Sequence, residues 1–521
     1  MTAPRVATLL ALLAAFSLSC GTPHPGQSKG TLGSATAEAV AAPPAGALPN
    51  WTFPRAERVR LNNGLRLVIL ERAGLGLLQL RLVVSSGSGS DGPAPGVAAL
   101  TAKWLSAGGT ANSSSRELIE HVEALGASLD VSTTHDATVL SIATPSEHFD
   151  DAIALVATVA REPRFSPSEF EKLREREIER VTGLAHGDGP WIATMALYSE
   201  LFRGNSGRHP YARFDSLPSD LAQLQPADAQ AWYVQNFSPK NAFLVISGEV
   251  SVDDAKRSAE LTFGTWQGEE VAKATFSATQ EPRSRRIALV RRRGSAVSEL
   301  RLAALGPERR SPRWSALRVA SQILGGTPNG RLSLKRETTQ LFAALHPSLE
   351  VDELAHGPSL VVVGAAVLVT QTGTALTALL EDLKAISEKA ATSDELSAST
   401  RELSMATLLD LETNSSTAEL LARAEILALG DEYSAHYGGE LARVSLRDVR
   451  AAATEYLGQI RATVVVGDAD RLVTPLSHFG QVDVIDPENN FRVERVVNED
   501  PTASVEIEDA EPEPFISPPR R

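Results

Sequence analysis

A catalytic zinc site on a helix needs two histidines about one turn apart, because such side chains share one helix face. The chain has ten histidines, and none of them has another within four residues. Its single cysteine, Cys20, excludes an intramolecular disulfide and any Cys-rich metal site. The sequence therefore contains no conventional pair of helical zinc ligands.

Length and charge narrow the class of protein. The 521 residues predict two to four domains, and a hydrophobic fraction of 43% is enough for a large core. Lysine and arginine number 50 against 64 acidic residues, a formal net charge of −14. This charge argues against a nucleic-acid backbone or an anionic membrane surface as partner, and we expect neither.

An internal repeat divides the chain into two similar halves. Four residues recur at a constant offset of 220 in sequence number: Leu221, Ala222, Asp228 and Ala231 match Leu441, Ala442, Asp448 and Ala451. Upstream, Ala99 to Thr110 and Ala316 to Thr327 both end in Gly-Gly-Thr. The period is far longer than a solenoid repeat and predicts two homologous domains, which we place at residues 51–275 and 276–485.

Each half mixes strand patterns with helix patterns. The predicted strands are Leu65–Leu70, Leu77–Ser85 and Ser128–Ile142, and the predicted helices are Gly96–Ser106, Arg116–Leu125, Glu147–Arg161 and Phe165–Leu184. This order predicts the α+β class, in which each domain has a mostly antiparallel sheet with helices packed on one face.

Several motifs in this order resemble one known family. They are the hairpin Leu61–Ser88, His209-Pro210-Tyr211, Asn236–Ala242, Ile323–Gly326 and Arg336-Glu337. Together they extend over roughly residues 57–470. The sequence is similar to the insulinase and mitochondrial-processing-peptidase family of zinc metallopeptidases, which implies a duplicated α+β fold.

The resemblance also implies where the metal would bind. The family carries Gly-Leu-Ala-His-Phe-Leu-Glu-His-Met, and the matching segment here is Gly96 to Trp104. Ala99 and Lys103 stand in place of the two histidines, and Ala102 replaces the glutamate that acts as general base. The family's third ligand would fall at Glu177 or Glu179. Zinc is expected in the family, but its ligands are missing here, so we predict no bound metal and no catalytic residue.

A second family feature is half retained. The second domain often supplies an arginine and a tyrosine, seven residues apart, that hold the substrate backbone. Arg336 matches the arginine, while position 343 is alanine with Phe342 beside it. Arg336 and Phe342 are therefore candidate substrate-binding residues, although Arg336 could equally be a structural partner of Glu337.

The first residues have the pattern of an export signal. An apolar run, Val6 to Leu18, follows Arg5 and is too short to span a membrane. It leads to Cys20, so residues 1–20 predict a signal peptide with lipidation at Cys20, or else a plain cleaved signal. We expect a lipoprotein of the bacterial cell envelope or periplasm, with a flexible linker at 21–50 and an acidic, proline-rich tail at 486–521.

Three functions remain open at this point. The leading hypothesis is a catalytically inactive subunit that partners a zinc-bearing homologue and binds extended peptide along an edge strand at residues 127–133. The alternatives are an active zinc metalloendopeptidase with unrecognised ligands, and a non-enzymatic envelope scaffold. Membrane contact is expected only through the lipid.

The lysine at the degenerate site allows a specific prediction. A buried carboxylate that has lost its metal is a costly unpaired charge. The Lys103 ammonium could compensate Glu177 or Glu179 and convert a catalytic centre into an ion pair. The alternative is that Lys103 extends to solvent along Trp104.

Overall fold

The computed structural model describes residues 53–74, 76–202, 209–272, 276, 286–326, 330–332, 345–430 and 432–505. All of them belong to one unit of packed structure, Trp51–Arg521. The predicted signal peptide, Cys20 and the 21–50 linker lie outside the described residues. Within the described ranges, no helix is both long and apolar enough to cross a membrane.

The first domain is built on a six-stranded sheet with the order β1-β2-β6-β3-β5-β4. Its strands are β1 Glu57–Arg60, β2 Arg66–Glu71, β3 Leu77–Val84, β4 Ser128–Thr133, β5 Thr138–Pro145 and β6 Ala242–Gly248. Only the β2–β6 pair is parallel, and the other four pairs are antiparallel.

Eight helices accompany this sheet in the described ranges. They are α1 Val97–Ala107, α2 Ser115–Ala124, α3 Phe149–Arg161, α4 Pro167–Gly187, α5 Gly189–Leu201, α6 Pro218–Leu221, α7 Pro226–Asn236 and α8 Val252–Phe263. Their boundaries follow local signals, since α2 has a capping box at Ser114 and Glu117, and α4 begins with Pro167 in its first turn.

The second domain repeats this plan with a seven-stranded sheet, ordered β13-β12-β7-β11-β8-β10-β9. Its strands are β7 Arg286–Arg291, β8 Val297–Leu305, β9 Leu345–Asp352, β10 Leu360–Leu368, β11 Ala462–Gly467, β12 Gln481–Asp486 and β13 Arg492–Val497. Its helices in the described ranges are α9 Trp314–Ser321, α10 Thr372–Glu388, α11 Ser393–Leu409, α12 Asn414–Ile426, α13 Tyr433–Ala442, α14 Leu446–Ala452 and α15 Ala469–Ser477.

The predicted duplication and fold class are confirmed. In both domains a hairpin, a helix, a second hairpin and several helices lead to a buried central strand, β6 or β11. The matched residues Asp228 and Asp448 play the same part, because each closes a capping box at the start of α7 or α14. The need to cap the N-terminus of the helix thus accounts for the match between Asp228 and Asp448.

Two sequence predictions need correction. The single strand predicted over 128–142 is a hairpin, because residues 134–137 form a turn in which the Thr134 N–H donates to the Ala137 carbonyl at 2.8 Å. We placed the start of the acidic tail at 486, but β13 is hydrogen-bonded to β12, so the second sheet includes residues up to Val497. The charged pattern of β13 hid it, since all its residues but the last are exposed.

Each sheet is covered on its outer face by a helix of the other domain. α12 of the second domain packs on the first sheet, where Leu421 contacts the cluster that contains Val68 and Phe243. α5 of the first domain packs on β8 and β11 of the second sheet. Most residues of α5 between Trp191 and Leu201 are buried, as expected for a helix between two layers.

Ion pairs border the α12 interface. Glu425 on α12 accepts from Arg58 at 3.0 Å and from Arg66 at 2.7 Å, both on the first sheet. Arg72 of the first domain also donates to the Thr417 hydroxyl at 2.8 Å. The apolar contact therefore has a polar border that fixes the position of α12 along the strands.

Shortening Leu421 to alanine tests whether the two domains stabilise each other. Leu421 is 2% exposed, so Leu421→Ala should lower the free energy of unfolding by about 2–4 kcal/mol in urea titration. Leu409→Ala is the control, because Leu409 is 64% exposed and its loss should change stability by less than about 0.5 kcal/mol. Equal effects of the two substitutions would contradict the packing described.

Candidate functional site

The segment Gly96–Trp104, which the sequence analysis aligned with the zinc motif, begins a well-capped helix. The Asp91 carboxylate accepts from the Gly96 N–H at 2.6 Å and from the Ala98 N–H at 3.0 Å, at the start of α1. Gly96 has a φ of +90°, and a Cβ there would lie 2.6 Å from the Ser216 hydroxyl. The glycine therefore allows α1 to pack close to the 209–216 segment.

A cavity of about 710 Å³ lies beside this helix. Its walls come mainly from five parts of the first domain: the 88–96 segment, α1, the end of β4 with the following turn, α4 and the 209–216 segment. Ala99, Ala102 and Lys103 line it from α1, and Glu177 lines it from α4. The residues at the family's metal-binding positions therefore face one common space.

Lys103 and Glu177 form an ion pair across this cavity. The Lys103 ammonium lies 2.5 Å from Oε1 of Glu177. Burial raises the pKa of the Glu177 carboxyl, but hydrogen bonds from Lys103 and Arg180 outweigh burial and hold the pKa below its usual value. Glu177 therefore stays ionised, and its charge is compensated by cations.

Arg180 extends the pair into a chain of alternating charges. Its Nε lies 2.8 Å from Oε2 of Glu177, and its Nη2 lies 2.9 Å from Oδ2 of Asp215. The same Asp215 oxygen accepts from Nε1 of Trp191 at 3.0 Å. The chain of contacts therefore ties α1, α4 and α5 to the 209–216 segment.

The donor atoms do not fit a zinc ion. The methyl groups of Ala99 and Ala102 have no lone pairs, and the Lys103 ammonium has none while it is protonated. Glu177 alone remains of the expected ligand set. Among the residues that the structure describes, no group of three or more His, Cys, Asp or Glu is arranged to hold a metal. Zinc-dependent chemistry therefore has no ligand set at these positions.

β4 is an edge strand that borders the cavity. It pairs with β5 on one side, and Val131, Ser132 and Thr133 line the cavity. The Thr134–Ala137 hydrogen bond closes the hairpin, so the alternation of an antiparallel ladder turns the backbone groups of Leu129, Val131 and Thr133 outward. The cavity therefore has a row of backbone donors and acceptors along one side.

The turn after β4 is anchored by aromatic side chains. The His135 ring stacks on Tyr198 with centroids 5.2 Å apart, and its Nε2 lies 2.8 Å from the Arg213 carbonyl. Burial lowers the pKa of His135 to about 4, and the neighbouring Asp136 opposes this only in part. A neutral ring that donates from Nε2 satisfies this arrangement.

The same turn contacts the second domain. The Tyr211 hydroxyl donates to Asp136, whose other oxygen accepts from the Ala355 N–H at 3.0 Å. The His356 N–H donates to the Tyr211 oxygen at 3.2 Å. Burial raises the pKa of Tyr211 far above its usual range, so the hydroxyl keeps its proton. The loop between β9 and β10 thus holds one end of the cavity wall.

The structure brings only some of the predicted site residues together. Ala99, Ala102, Lys103 and Glu177 share the cavity, whereas Glu179 lies on the exposed side of α4. Trp104 packs on Phe170 with centroids 4.9 Å apart, and Lys103 turns to Glu177 rather than along this ring. Arg336 and Phe342 lie outside the described residues.

Sequence reasoning missed the rest of the charge chain. Arg180 stands three residues after Glu177 on one helix, a spacing that signals an ion pair and could have been used. Asp215 and His135 come from loops far apart in sequence, and only the folded chain brings them to the cavity. No pattern in either loop signals its position.

The structure is a duplicated α+β architecture whose first domain carries the cavity. Family comparison is consistent with this duplication. Residues 70–212 match the insulinase family, peptidase family M16, and residues 223–403 match the peptidase M16 inactive domain. The chain belongs to the insulinase family, and its second half is of the inactive-domain type.

Individual relatives are distant. The chain is 21% identical over 277 residues to the uncharacterized zinc protease YmxG of Bacillus subtilis (strain 168), covering 53% of this chain and 65% of that protein. The match thus extends over about two thirds of the relative's length.

Solved structures share the fold. One is a peptidase M16 inactive domain from Pseudomonas fluorescens, with a TM-score of 0.72, 21% identity and coverage of 79% of this chain and 98% of that one. Another is the periplasmic protease PqqL from Escherichia coli, with a TM-score of 0.67, 18% identity and coverage of 89% and 50%. These similarities show the fold alone.

The neutral state of His135 predicts a pH dependence of stability. An unfolded histidine titrates near 6.5, and the folded one near 4. Between these values the unfolded chain binds the extra proton, so stability should rise as pH increases from about 4 to 6.5. His135→Gln should remove up to about 3 kcal/mol of this rise, since each unit contributes about 1.4 kcal/mol.

Urea titrations at several pH values measure this effect. The control is His121→Gln on the exposed side of α2, which should keep the wild-type slope. If His135→Gln leaves the slope of stability against pH unchanged, other groups cause the pH dependence.

A double-mutant cycle tests the ion pair at the degenerate metal position. Losing one partner of a fully buried pair costs about 3–5 kcal/mol. The Lys103 side chain is 39% exposed and that of Glu177 is 15% exposed, so we expect Lys103→Met to cost roughly 1–2 kcal/mol in thermal or urea unfolding. Glu177→Gln in the same chain should restore part of the loss. Simple additivity of the two substitutions would show that the contact has no energetic coupling.

Proposed function

We propose that this chain is a catalytically inactive member of its family, which binds extended peptide and acts beside a zinc-bearing homologue. The observation that supports it most directly is the ion pair at the metal position, with Lys103 2.5 Å from Glu177. A cation on the protein replaces the cation that a metallopeptidase would bind. The general base is absent as well, because Ala102 has no group that can take a proton.

Peptide binding needs none of the lost residues. The open backbone groups of β4 can pair with an extended chain, and the adjoining cavity of about 710 Å³ leaves room for side chains. Specificity in this mode comes from pockets for alternate side chains, while affinity comes from the main-chain hydrogen bonds. Peptide binding at β4 therefore does not depend on metal ligands.

Export to the cell envelope is part of the proposal. The apolar run before Cys20 supports it, as does the likeness in fold to a periplasmic protease of Escherichia coli. Lipidation of Cys20 would tether the chain through the 21–50 linker, although one acyl chain anchors only weakly. Mass spectrometry of the mature N-terminus should then find a modified cysteine at position 20.

Metal analysis separates the proposal from an active metallopeptidase. The purified protein should contain no stoichiometric zinc and should cleave no peptide alone. The variant Ala99→His/Ala102→Glu/Lys103→His should bind about one zinc per chain, because it restores the missing groups beside Glu177. One zinc per wild-type chain with chelator-sensitive proteolysis would refute the proposal.

A backbone substitution in the edge strand tests peptide capture. Val131→Pro removes an outward N–H donor and should weaken binding of a fluorescein-labelled, unfolded casein peptide by about tenfold, measured by anisotropy. Asp130→Ala is the matched control, because the Asp130 backbone groups face β5 and its side chain is exposed. Unchanged binding by Val131→Pro would exclude β4 as the peptide site.

Co-purification from the native envelope tests the partner. A tagged copy of this chain should retain a second family member that carries a His-x-x-Glu-His sequence. Recovery of the chain alone, at a concentration where the complex would persist, would favour the scaffold alternative.

A further inference from the structure

We propose that the Lys103 ammonium is a ligand-binding group as well as a structural one: it donates a hydrogen bond to a backbone carbonyl of a peptide paired along β4. This inference rests on the proposed peptide-binding function. It adds one side-chain contact, from Lys103, to the backbone pairing along β4.

The first argument is the unequal exposure of the ion pair. The Lys103 side chain is 39% exposed, whereas the Glu177 side chain is 15% exposed. Both partners line the cavity, but the carboxylate is covered by Lys103 and by Arg180, and the ammonium side is the more exposed. A ligand in the cavity therefore has better access to the ammonium than to the carboxylate.

The second argument is the number of donors. An ammonium has three N–H groups and no acceptor. In the described part of the structure, its contact is the single one with Glu177 at 2.5 Å. The neighbouring Ala99 and Ala102 are too small to block the space above it. Donor capacity therefore remains on the side of Lys103 that faces the cavity.

The third argument concerns what a bound peptide must satisfy. An extended peptide on β4 directs every second carbonyl to the outward N–H groups of Leu129, Val131 and Thr133, and the alternate carbonyls point away. A carbonyl that becomes buried without a donor costs about 1–3 kcal/mol. Lys103 lines the same cavity as Val131 and Thr133, so its ammonium can supply that donor.

The chemistry is that of recognition alone. A carbonyl oxygen that accepts from an ammonium is polarised, but Ala102 has no group that can take a proton. The role inferred for Lys103 is therefore to hold the peptide. The ligand class is an extended, unfolded polypeptide recognised through its main chain.

The experiment compares variants that keep or remove the donor while controlling for stability. The probe is the fluorescein-labelled casein peptide, and the readouts are anisotropy and thermal unfolding of the intact protein. Lys103→Met/Glu177→Gln removes both charges together, so no unpaired carboxylate remains. We expect this double variant to bind the peptide about tenfold or more weakly, the loss typical of one hydrogen bond from a charged donor.

Two further variants isolate the donor from the ion pair. Lys103→Arg keeps a cationic donor and should bind within about threefold of wild type. Glu177→Gln frees the ammonium from its carboxylate and should bind at least as tightly as wild type. Glu179→Gln on the exposed side of α4 is the neutral control and should behave as wild type.

The outcomes separate this inference from the proposed function. If Lys103→Met/Glu177→Gln binds as wild type while Val131→Pro does not bind, Lys103 is structural only and the edge-strand function stands. If neither substitution changes binding, or the wild-type chain binds no peptide, the proposed function fails and this inference fails with it. If the double variant is unfolded, Lys103→Arg against Glu177→Gln decides, because weaker binding by Glu177→Gln would overturn the donor role.

Discussion

The apolar character of both faces of each sheet is the constraint on which the architecture depends. A sheet that buries residues on two sides needs two covering layers, and the helices of one domain cover only one. The second layer comes from the other domain, through α12 on the first sheet and α5 on the second. The two domains therefore complete each other's cores, and the central strands β6 and β11 are buried between the two layers.

This exchange also explains how the cavity is held. α5 carries Trp191, whose ring nitrogen donates to Asp215, and Tyr198, which stacks on His135. Both partners lie on the walls of the cavity. A helix whose position is set by the second sheet thus fixes the 209–216 segment and the turn after β4. The packing between the domains consequently also determines the geometry of the cavity.

The ion pair of Lys103 and Glu177 shows how the charge of a partly buried carboxylate is balanced at the cavity. A glutamate on α4 next to α1 needs a nearby cation, because a partly buried carboxylate is costly alone. Lys103 and Arg180 supply it on two sides and hold the pKa of Glu177 low. These contacts hold α1 and α4 together, while Ala99, Ala102 and the protonated Lys103 offer no lone pair to a metal.

How much of the site could be predicted depended on how far apart in sequence the interacting residues lie. The alignment of Gly96–Trp104 identified Ala99, Ala102 and Lys103, because a helical motif is a local pattern. The third position remained ambiguous between Glu177 and Glu179. Side chains two residues apart on a helix point to opposite sides, and only the packing of α4 against α1 shows that Glu177 is the one that faces the cavity. Arg180 had a local signal at three residues' spacing, and Asp215 had none.

The sequence by itself determined the duplication and the α+β class, because these follow from the internal repeat, local periodicity and capping residues. Tertiary structure decided where β4 ends, that β13 extends the second sheet, and that α5 is buried between domains. Each of these depends on partners distant in the chain. Strand pairing and burial arise only when distant elements pack together, and a local sequence pattern does not encode them.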